Sequence, residues 1–240
     1  MARGLCENCL HGFDESDLAP LGGRRVCREC RGRIEGAAMS HTRPVPLTTG
    51  RFLLRLRDRL EAWCAGRSWA VRLPLLLWFA YILVRHWADP EYQSLFGPLN
   101  LGIHELGHFV FGWLGTFLGM AGGTVLQCLA PVLSMAMFFR QPDFFAVAVC
   151  LGWLSTNFFN VARYAEDARA MALTLVRPGG GEVVHDWNYL LEATGLLERD
   201  RAIGFLFRAA GSVSMLAALA AGGWLLWKMS RSRAGSGSSS

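Results

Sequence analysis

Two histidines and a glutamate interrupt an otherwise apolar stretch of the chain, LNLGIHELGHFVFGWLG at residues 99–115. On a helix, His104 and His108 lie one turn apart on the same face, which suits two ligands of a zinc ion. Glu105 follows the first histidine and can reach a zinc-bound water. Zinc lowers the pKa of such a water toward neutrality, and a glutamate can take its proton as general base. The motif therefore predicts zinc-dependent hydrolysis, with Glu105 as the catalytic residue.

The apolar surroundings of this motif favour the zinc interpretation. A polar side chain buried among leucine, phenylalanine and tryptophan is costly unless it is paired or bound. The alternative is that both histidines are hydrogen-bonded core residues and that Glu105 forms a buried ion pair with an arginine. Glycines flank the motif and permit close helix packing. They are Gly102, Gly107, Gly112 and Gly115.

The motif and the sequence after it resemble the site-2-protease-type intramembrane zinc metallopeptidases. In this chain HELGHFVFGWLG is followed by GGTVLQCLAPVLS. The family carries HExxH on a transmembrane helix, and a glycine-rich segment follows shortly after. The resemblance implies that His104 and His108 bind the catalytic zinc and that Glu105 is the catalytic base. It also implies that Gly122 and Gly123 lie near the substrate, which that segment is thought to present in extended form.

A catalytic zinc site needs a third protein ligand, and three residues are candidates. The resemblance favours Asp167, because the family takes this ligand from an aspartate on a later helix. His185 and Asp186 are adjacent and just ahead of an apolar helix, where one can bind zinc and the other orient it. As alternatives, Asp186 suits a helix N-cap and His185 an ordinary loop. Asp167 can instead pair with Arg163, four residues earlier on a helix surface.

The cysteines near the N-terminus form a second metal-binding pattern. Cys6 and Cys9 make one CxxC pair, Cys27 and Cys30 make another, and 17 residues separate the pairs. Four thiolates at this spacing are typical of a structural zinc site in a segment too short to build its own core. The alternative is a pair of redox motifs, but no thioredoxin-like pattern surrounds them. We therefore predict a zinc-ribbon-like module over residues 1–34.

The composition of the chain and its apolar runs beyond residue 73 indicate a membrane protein. The chain is 52% hydrophobic and 18% charged, whereas a soluble domain carries about 25% charged residues. We expect an all-α integral membrane helix bundle with about four or five transmembrane or re-entrant segments. The predicted spans are Leu73–Trp87, Leu101–Met120, Val125–Phe139, Phe144–Asn160 and Ile203–Met229.

The number of full crossings stays open at this point. Five crossings from a cytosolic N-terminus would put the basic sequence KMSRSR outside, against the positive-inside tendency. One segment is therefore expected to be re-entrant or interfacial. The candidates are Leu73–Trp87 and GMAGGTVLQCLAP, in which glycine and proline are expected to break the helix. The loop ADPEYQSLFGPLN has no lysine or arginine and suits the outer side.

Composition shifts divide the rest of the chain. Residues 35–50 are predicted as a linker, 51–72 as a basic amphipathic helix on the membrane surface or beside the bundle, 73–229 as the membrane-embedded domain, and 230–240 as a flexible tail. Because the chain does not open on a signal peptide, we expect a multi-pass protein of the cell membrane with its N-terminal module in the cytoplasm.

Together these patterns predict an intramembrane zinc metalloprotease that cleaves membrane protein substrates. It would use one catalytic Zn2+ and one structural Zn2+ at the four-cysteine site. Its partners would be the lipid bilayer, the substrate and a protein bound by the ribbon, with nucleic acid unlikely. The alternatives are a non-proteolytic membrane scaffold or sensor with a structural zinc site, and a hydrolase that acts on lipid.

Overall fold

The computed structural model describes residues 3–9, 11–21, 23–41, 49–174 and 184–236. This described part of the chain is mostly helical, at 74%. It forms two compact units, Met1–Arg55 and Leu56–Ser240, which are described separately.

The N-terminal unit is built from two short β-hairpins and a helix. β1 (Arg3–Leu5) pairs with β2 (Gly12–Asp14), β3 (Leu18–Leu21) pairs with β4 (Arg24–Cys27), and both pairs are antiparallel. Helix α1 (Arg28–His41) follows β4 directly. Val26 is buried together with Cys6, Cys27 and Cys30, so the cysteines themselves form most of this small core.

The larger unit contains seven helices in its described residues. They are the end of α2 (Thr49–Cys64), α3 (Leu73–Ala88), α4 (Gly97–Phe111), α5 (Thr116–Arg140), α6 (Phe144–Glu166), α7 (Asp186–Ala193) and α8 (Asp200–Ser236). Three of the described helices, α5, α6 and α8, are long and apolar enough to cross a membrane, and α3 is a shorter apolar helix.

Helix α6 is the centre of this bundle, and α3 and α8 pack along it. Phe79 of α3 lies against Gly152 of α6, and the ring of His86 stacks on Phe159 at 4.1 Å. Both contact positions rise together along the two helices, so α3 runs parallel to α6. The hydroxyl of Ser214 donates to the carbonyl of Leu151 at 2.8 Å, and α8 runs antiparallel to α6.

Helices α4 and α5 form a tight antiparallel pair. The backbones meet where Gly107 faces Gly122, and a Cβ added at either glycine would clash with the other helix. Gly115, with φ of 103°, makes the turn between the two helices. Glycine tolerates this backbone conformation without a Cβ penalty.

The segment between α3 and α4 returns along α3. Tyr92 contacts His86 at 4.9 Å, near the end of α3. Four residues later, Phe96 stacks on Trp78 at 5.4 Å, in the first half of the same helix. Helix α4 then starts beside the middle of α6, where Asn100 donates to Asn160 at 2.6 Å. The consecutive helices α3 and α4 therefore run in the same direction.

Aromatic and charged side chains pack together at the end of the bundle where α6 begins. Trp63 of α2 packs edge-on against Phe144 at 5.7 Å, and the Arg67 guanidinium lies over the Trp63 ring at 4.5 Å. Lys228 of α8 pairs with Glu61 at 2.8 Å. These contacts bring the end of α2, the start of α6 and the end of α8 together.

Several predicted boundaries are wrong. The span predicted at Leu101–Met120 is divided, because α4 ends at Phe111 and α5 begins at Thr116. The glycine- and proline-containing region does not break the helix, since α5 continues through Pro131 to Arg140. Proline lacks the N–H that would bond the carbonyl four residues earlier, so α5 continues without one backbone hydrogen bond at this position.

The predicted linker and tail are also partly helical. Helix α1 extends to His41, and α2 begins at Thr49 and ends at Cys64, so the helix predicted at 51–72 is shorter at its end. Helix α8 continues to Ser236, into the segment predicted as a flexible tail. The remaining parts of those predictions, residues 42–48 and 237–240, lie outside the described residues.

Candidate metal centre

Three side chains from two helices converge on one point beside α6. The Nε2 atom of His104 lies 2.9 Å from Oδ2 of Asp186, and Nε2 of His108 lies 3.1 Å from the same oxygen. Their possible ligand atoms all lie within 4.8 Å of one another. Both histidines belong to α4, as their spacing predicted, whereas Asp186 is the first residue of α7.

Hydrogen bonds on the far side of each ring orient the two histidines. Nδ1 of His108 lies 2.8 Å from the carbonyl oxygen of Gly119, and Nδ1 of His104 lies 2.9 Å from Oε1 of Gln127. A carbonyl oxygen can only accept, so Nδ1 carries the hydrogen in both rings. In the neutral rings Nε2 is then a lone-pair acceptor that points toward Asp186.

When both rings are neutral, this arrangement brings three acceptors together with no donor between them. Two imidazole lone pairs and a carboxylate oxygen repel one another at about 3 Å unless a proton or a metal cation lies between them. Two histidines and one carboxylate form the ligand set of zinc sites that keep a fourth position open for water. The described residues therefore fit a zinc ion of the catalytic type.

Tyr164 of α6 fixes Asp186 at the start of α7. Its hydroxyl donates to Oδ2 of Asp186 at 3.3 Å, and it accepts from the backbone N–H of Asp186 at 3.1 Å. The side chain and the backbone of the same residue are thus held by one phenol. Asp186 is 5% exposed, so its carboxylate is committed to the histidines and Tyr164.

The other two candidate ligands do not join the histidines. Asp167, at the end of α6, accepts from the backbone N–H groups of Ala172 and Leu173 and lies 3.3 Å from Nε2 of His185. His185 in turn accepts from Asn188 through Nδ1 and caps α7. Burial lowers the pKa of His185 below its ordinary value despite the nearby carboxylate, so the ring is neutral at pH 7.

Two alternatives predicted from the sequence, Asp186 as a helix N-cap and an ion pair between Asp167 and Arg163, are wrong. The N-cap of α7 is His185, and Asp186 follows it as the first helical residue. Arg163 pairs with Glu91 at 2.6 Å, not with Asp167. Asp167 and His185 together tie the start of α7 to the end of α6, which places Asp186 beside Tyr164.

Asn100 holds helix α4 against α6 one turn before His104. Its amide nitrogen donates to Asn160 at 2.6 Å and to Thr156 at 3.2 Å. Its oxygen accepts from Nε1 of Trp153 at 2.8 Å. Asn100 is 1% exposed, and this network satisfies both ends of its amide.

Gly122 and Gly123 are buried in α5 and do not form an extended segment. A Cβ added at Gly123 would lie 2.6 Å from the His104 ring, and one at Gly122 would lie 2.7 Å from the carbonyl oxygen of Gly107. The two glycines let α4 approach α5 closely enough for His104 to reach Gln127. The expectation that Gly122 and Gly123 lie near a substrate in extended form stays a prediction.

The cluster of His104, His108 and Asp186 opens into a cavity of about 760 Å³. Glu105, His104, His108 and Asp186 all line it, together with Thr116 at the start of α5. Glu105 is half-buried, and no hydrogen bond or ion pair joins it to another described residue. Its carboxylate is therefore available to a molecule in the cavity.

Sequence reasoning missed three residues of this site. Asn100, Gln127 and Tyr164 have no spacing rule that connects them to HExxH. Asn100 lies four residues before His104 and therefore on the same helix face, which is a usable signal for a positioning residue. Gln127 and Tyr164 lie on other helices, and only the packing of α4, α5 and α6 reveals them.

The four cysteines of the N-terminal unit also form a cluster. Their Sγ atoms lie within 4.8 Å of one another, so this cluster can hold a structural metal. The Cys27 backbone N–H donates to the sulfur of Cys6 at 3.2 Å. Burial raises the pKa of Cys6, but hydrogen bonds from the backbone outweigh it and lower the pKa to about 6. His11 is exposed, and its Nδ1 bonds the carbonyl of Cys9.

Comparison with known proteins gives no family for this chain. No protein-family model matches it, and neither a curated protein nor a solved structure matches it. The resemblance to site-2-protease-type metallopeptidases therefore stays a proposal, and functional conclusions depend on the site itself.

Proposed function

We propose that this protein is a membrane-embedded zinc metalloprotease that hydrolyses peptide bonds of membrane protein substrates. The observation that carries the proposal is the convergence of His104, His108 and Asp186 on one point of a cavity that Glu105 also lines. A scaffold with a structural zinc would need a fourth protein ligand. Within the described ranges, the cluster contains three.

His104, His108 and Asp186 would hold the zinc. When bound, zinc supplies Lewis acidity that polarises a carbonyl and makes water acidic near pH 7. Glu105 accepts a proton from the attacking water and delivers it to the leaving amine, because its carboxylate faces the cavity without another described partner. Tyr164, Gln127 and the Gly119 carbonyl keep the three ligands oriented while this proton moves.

Membrane insertion follows from the apolar surface as well as from helix length. Three described helices are long and apolar enough to cross a bilayer. Large apolar side chains of α4 face outward, with Phe109 85% exposed and Leu106 51% exposed. In water such a surface would aggregate, whereas in lipid its exposure has no cost. We therefore place the larger unit in the cell membrane as a multi-pass protein.

The N-terminal unit is proposed to be a zinc-ribbon-like module whose zinc stabilises a segment with little apolar core. Exposed arginines, such as Arg24, lie close in sequence to its cysteines. A protein partner or the lipid headgroups are the proposed contacts of this basic surface. Its role is separate from the hydrolytic site.

The test compares the wild type with Glu105→Gln, and with Glu192→Gln as a matched control on an exposed position of α7. Zinc content of the purified protein and new N-termini in membranes of expressing cells are measured for each. We expect all three to hold two zinc ions, and only Glu105→Gln to lose the protease-dependent N-termini. Unchanged N-termini in Glu105→Gln membranes would remove the proteolytic function.

A further inference from the structure

We propose that α4, together with residues 89–96 before it, forms a re-entrant segment that enters and leaves the membrane on the same side. The metal centre then opens at the end of the bundle opposite to the one where α3 begins and α8 ends. As an extension that rests on the proposed function, the substrate is a polypeptide presented from the extracytoplasmic side.

Helices α3 and α4 run in the same direction, which two consecutive membrane crossings do not allow. A full crossing by each of two consecutive helices makes them antiparallel, but α3 and α4 are parallel. The return of the chain along α3, from Tyr92 beside His86 to Phe96 beside Trp78, brings it back to the middle of the bundle. Helix α4 begins beside Asn160, in the second half of α6 and not at the level of Phe144 where α6 starts, so it crosses only part of a bilayer.

The returning segment meets the condition for a non-helical chain at membrane depth. Such backbone is tolerated only where protein or a water-filled cavity satisfies its polar groups. The N–H of Tyr92 donates to the carbonyl of Asp89, and the N–H of Gly97 donates to the carbonyl of Ser94. Ser94 is buried, while Gln93 and Gly97 line the metal-site cavity.

Counting crossings then places both chain ends on one side. With α4 re-entrant, we count four crossings. Helices α5, α6 and α8 are long and apolar enough to span a membrane, and the shorter α3 lies along α6 from Phe144, which clusters with Leu76, to Phe159, which stacks on His86. An even number returns the chain to its starting side. This removes the conflict of five crossings, in which the basic C-terminal sequence would lie outside.

The charges at the two ends of the bundle assign the sides. The end where α2, the start of α6 and the end of α8 meet is rich in basic residues, and Asp58, Glu61 and Asp143 are the acidic groups beside them. The seven basic residues are Arg57, Arg59, Arg67, Arg72, Arg140, Lys228 and Arg231. A surplus of lysine and arginine marks the cytoplasmic side.

The opposite end has six arginines among the described residues, namely Arg85, Arg163, Arg169, Arg199, Arg201 and Arg208. Arg169 pairs with Asp200 at 2.7 Å, and Arg208 pairs with Glu166 at 2.5 Å. This end therefore has fewer lysines and arginines than the first end. This second end is the extracytoplasmic side.

The metal centre lies toward this extracytoplasmic end. Tyr164 is in the last turn of α6, and Asp186 starts α7 just beyond that helix. The cavity is lined by Gly115 and Thr116, at the turn into α5, and by Thr174 and Val184. A polypeptide can therefore reach the zinc ligands from this side without passing through the basic end.

Single introduced cysteines test the assignment in right-side-out membrane vesicles. Ala88→Cys and Trp113→Cys flank the re-entrant segment on exposed positions, and Thr116→Cys reports on the cavity. Gln141→Cys, on the connection between α5 and α6, is the matched control for the other side. A membrane-impermeant maleimide is applied before and after permeabilisation, with the parent chain as background and labelling after permeabilisation as proof of an accessible thiol.

We expect positions 88, 113 and 116 to be labelled in intact vesicles and position 141 only after permeabilisation. Labelling of 88 and 113 from opposite sides would mean that α4 crosses fully, and the proposal would be overturned. Labelling of 141 alone in intact vesicles would overturn the assignment of sides. Neither readout needs zinc or cleavage, and repeating them with Glu105→Gln separates a failed topology from a failed protease.

Discussion

His104 and Asp186 are 82 residues apart in the sequence, yet their side chains meet at 2.9 Å in the interior of the protein. The contact forms because α4 and α7 both pack beside the last turns of α6, where Tyr164 holds Asp186. His108 reaches the same carboxylate oxygen from one turn farther along α4. One aspartate oxygen thus completes a three-ligand set for a metal.

Replacing Asp186 by alanine is expected to remove the second zinc ion. The change deletes one of three ligands, whereas Asp167→Asn keeps an oxygen that can accept from His185 and Leu173. We predict one zinc per chain for Asp186→Ala and two for Asp167→Asn, measured by elemental mass spectrometry of purified protein. The reverse pattern would make Asp167 the ligand.

Tyr164→Phe is expected to weaken zinc binding without abolishing it. The change removes the hydroxyl that orients Asp186, and loss of a group that orients a metal ligand typically costs about 10–100-fold in affinity. Tyr189→Phe, on α7, is the control. Competition with a zinc chelator measures both variants. Equal affinities would show that the phenol has no part in positioning the carboxylate.

The sequence predicted the helical pair of histidines better than the geometry around it. His104, Glu105 and His108 follow a spacing rule that any helix obeys, and the chemistry of their side chains limits the function. The third ligand could be narrowed to three residues only. The choice of Asp186 depends on how the start of α7 packs against α6, which no local pattern encodes.

The proposed re-entrant segment differs from the two candidates predicted from the sequence for a related reason. Leu73–Trp87 is short, and the region around Gly122 is rich in glycine, so both looked unsuitable for a crossing. The structure instead uses Gly107, Gly122 and Gly123 for close helix packing and leaves α5 continuous. The return of the chain occurs before α4, where aromatic contacts such as Phe96 on Trp78 stabilise a non-helical stretch.

The close approach of α4 and α5 gives a further prediction. Gly107→Ala would place a methyl group against the backbone of Gly122, and overpacking of this kind costs about 1–3 kcal/mol. Gly102 lies on the same helix with nothing within 4 Å of an added Cβ. Thermal unfolding in detergent should show destabilisation for Gly107→Ala and none for Gly102→Ala. Equal melting temperatures would mean that the helices do not meet at Gly107.

Metal binding by the four-cysteine cluster must be removed before the second metal site can be observed alone. The double substitution Cys6→Ala and Cys27→Ala removes two of its four thiols. We expect this variant to retain one zinc, since the other ligands belong to a separate unit. Cys64→Ala, which changes a cysteine outside that cluster, should keep both ions.

X-ray absorption at the zinc edge of that double variant tests the central claim most directly. The account predicts nitrogen and oxygen neighbours at about 2.0–2.2 Å, scattering from two imidazoles, and a spectrum that changes when a hydroxamate occupies the open position. His104→Ala in the same background should lose the signal. A protein without zinc, a shell that contains sulfur, or a spectrum that a hydroxamate leaves unchanged would contradict a hydrolytic metal centre at His104, His108 and Asp186.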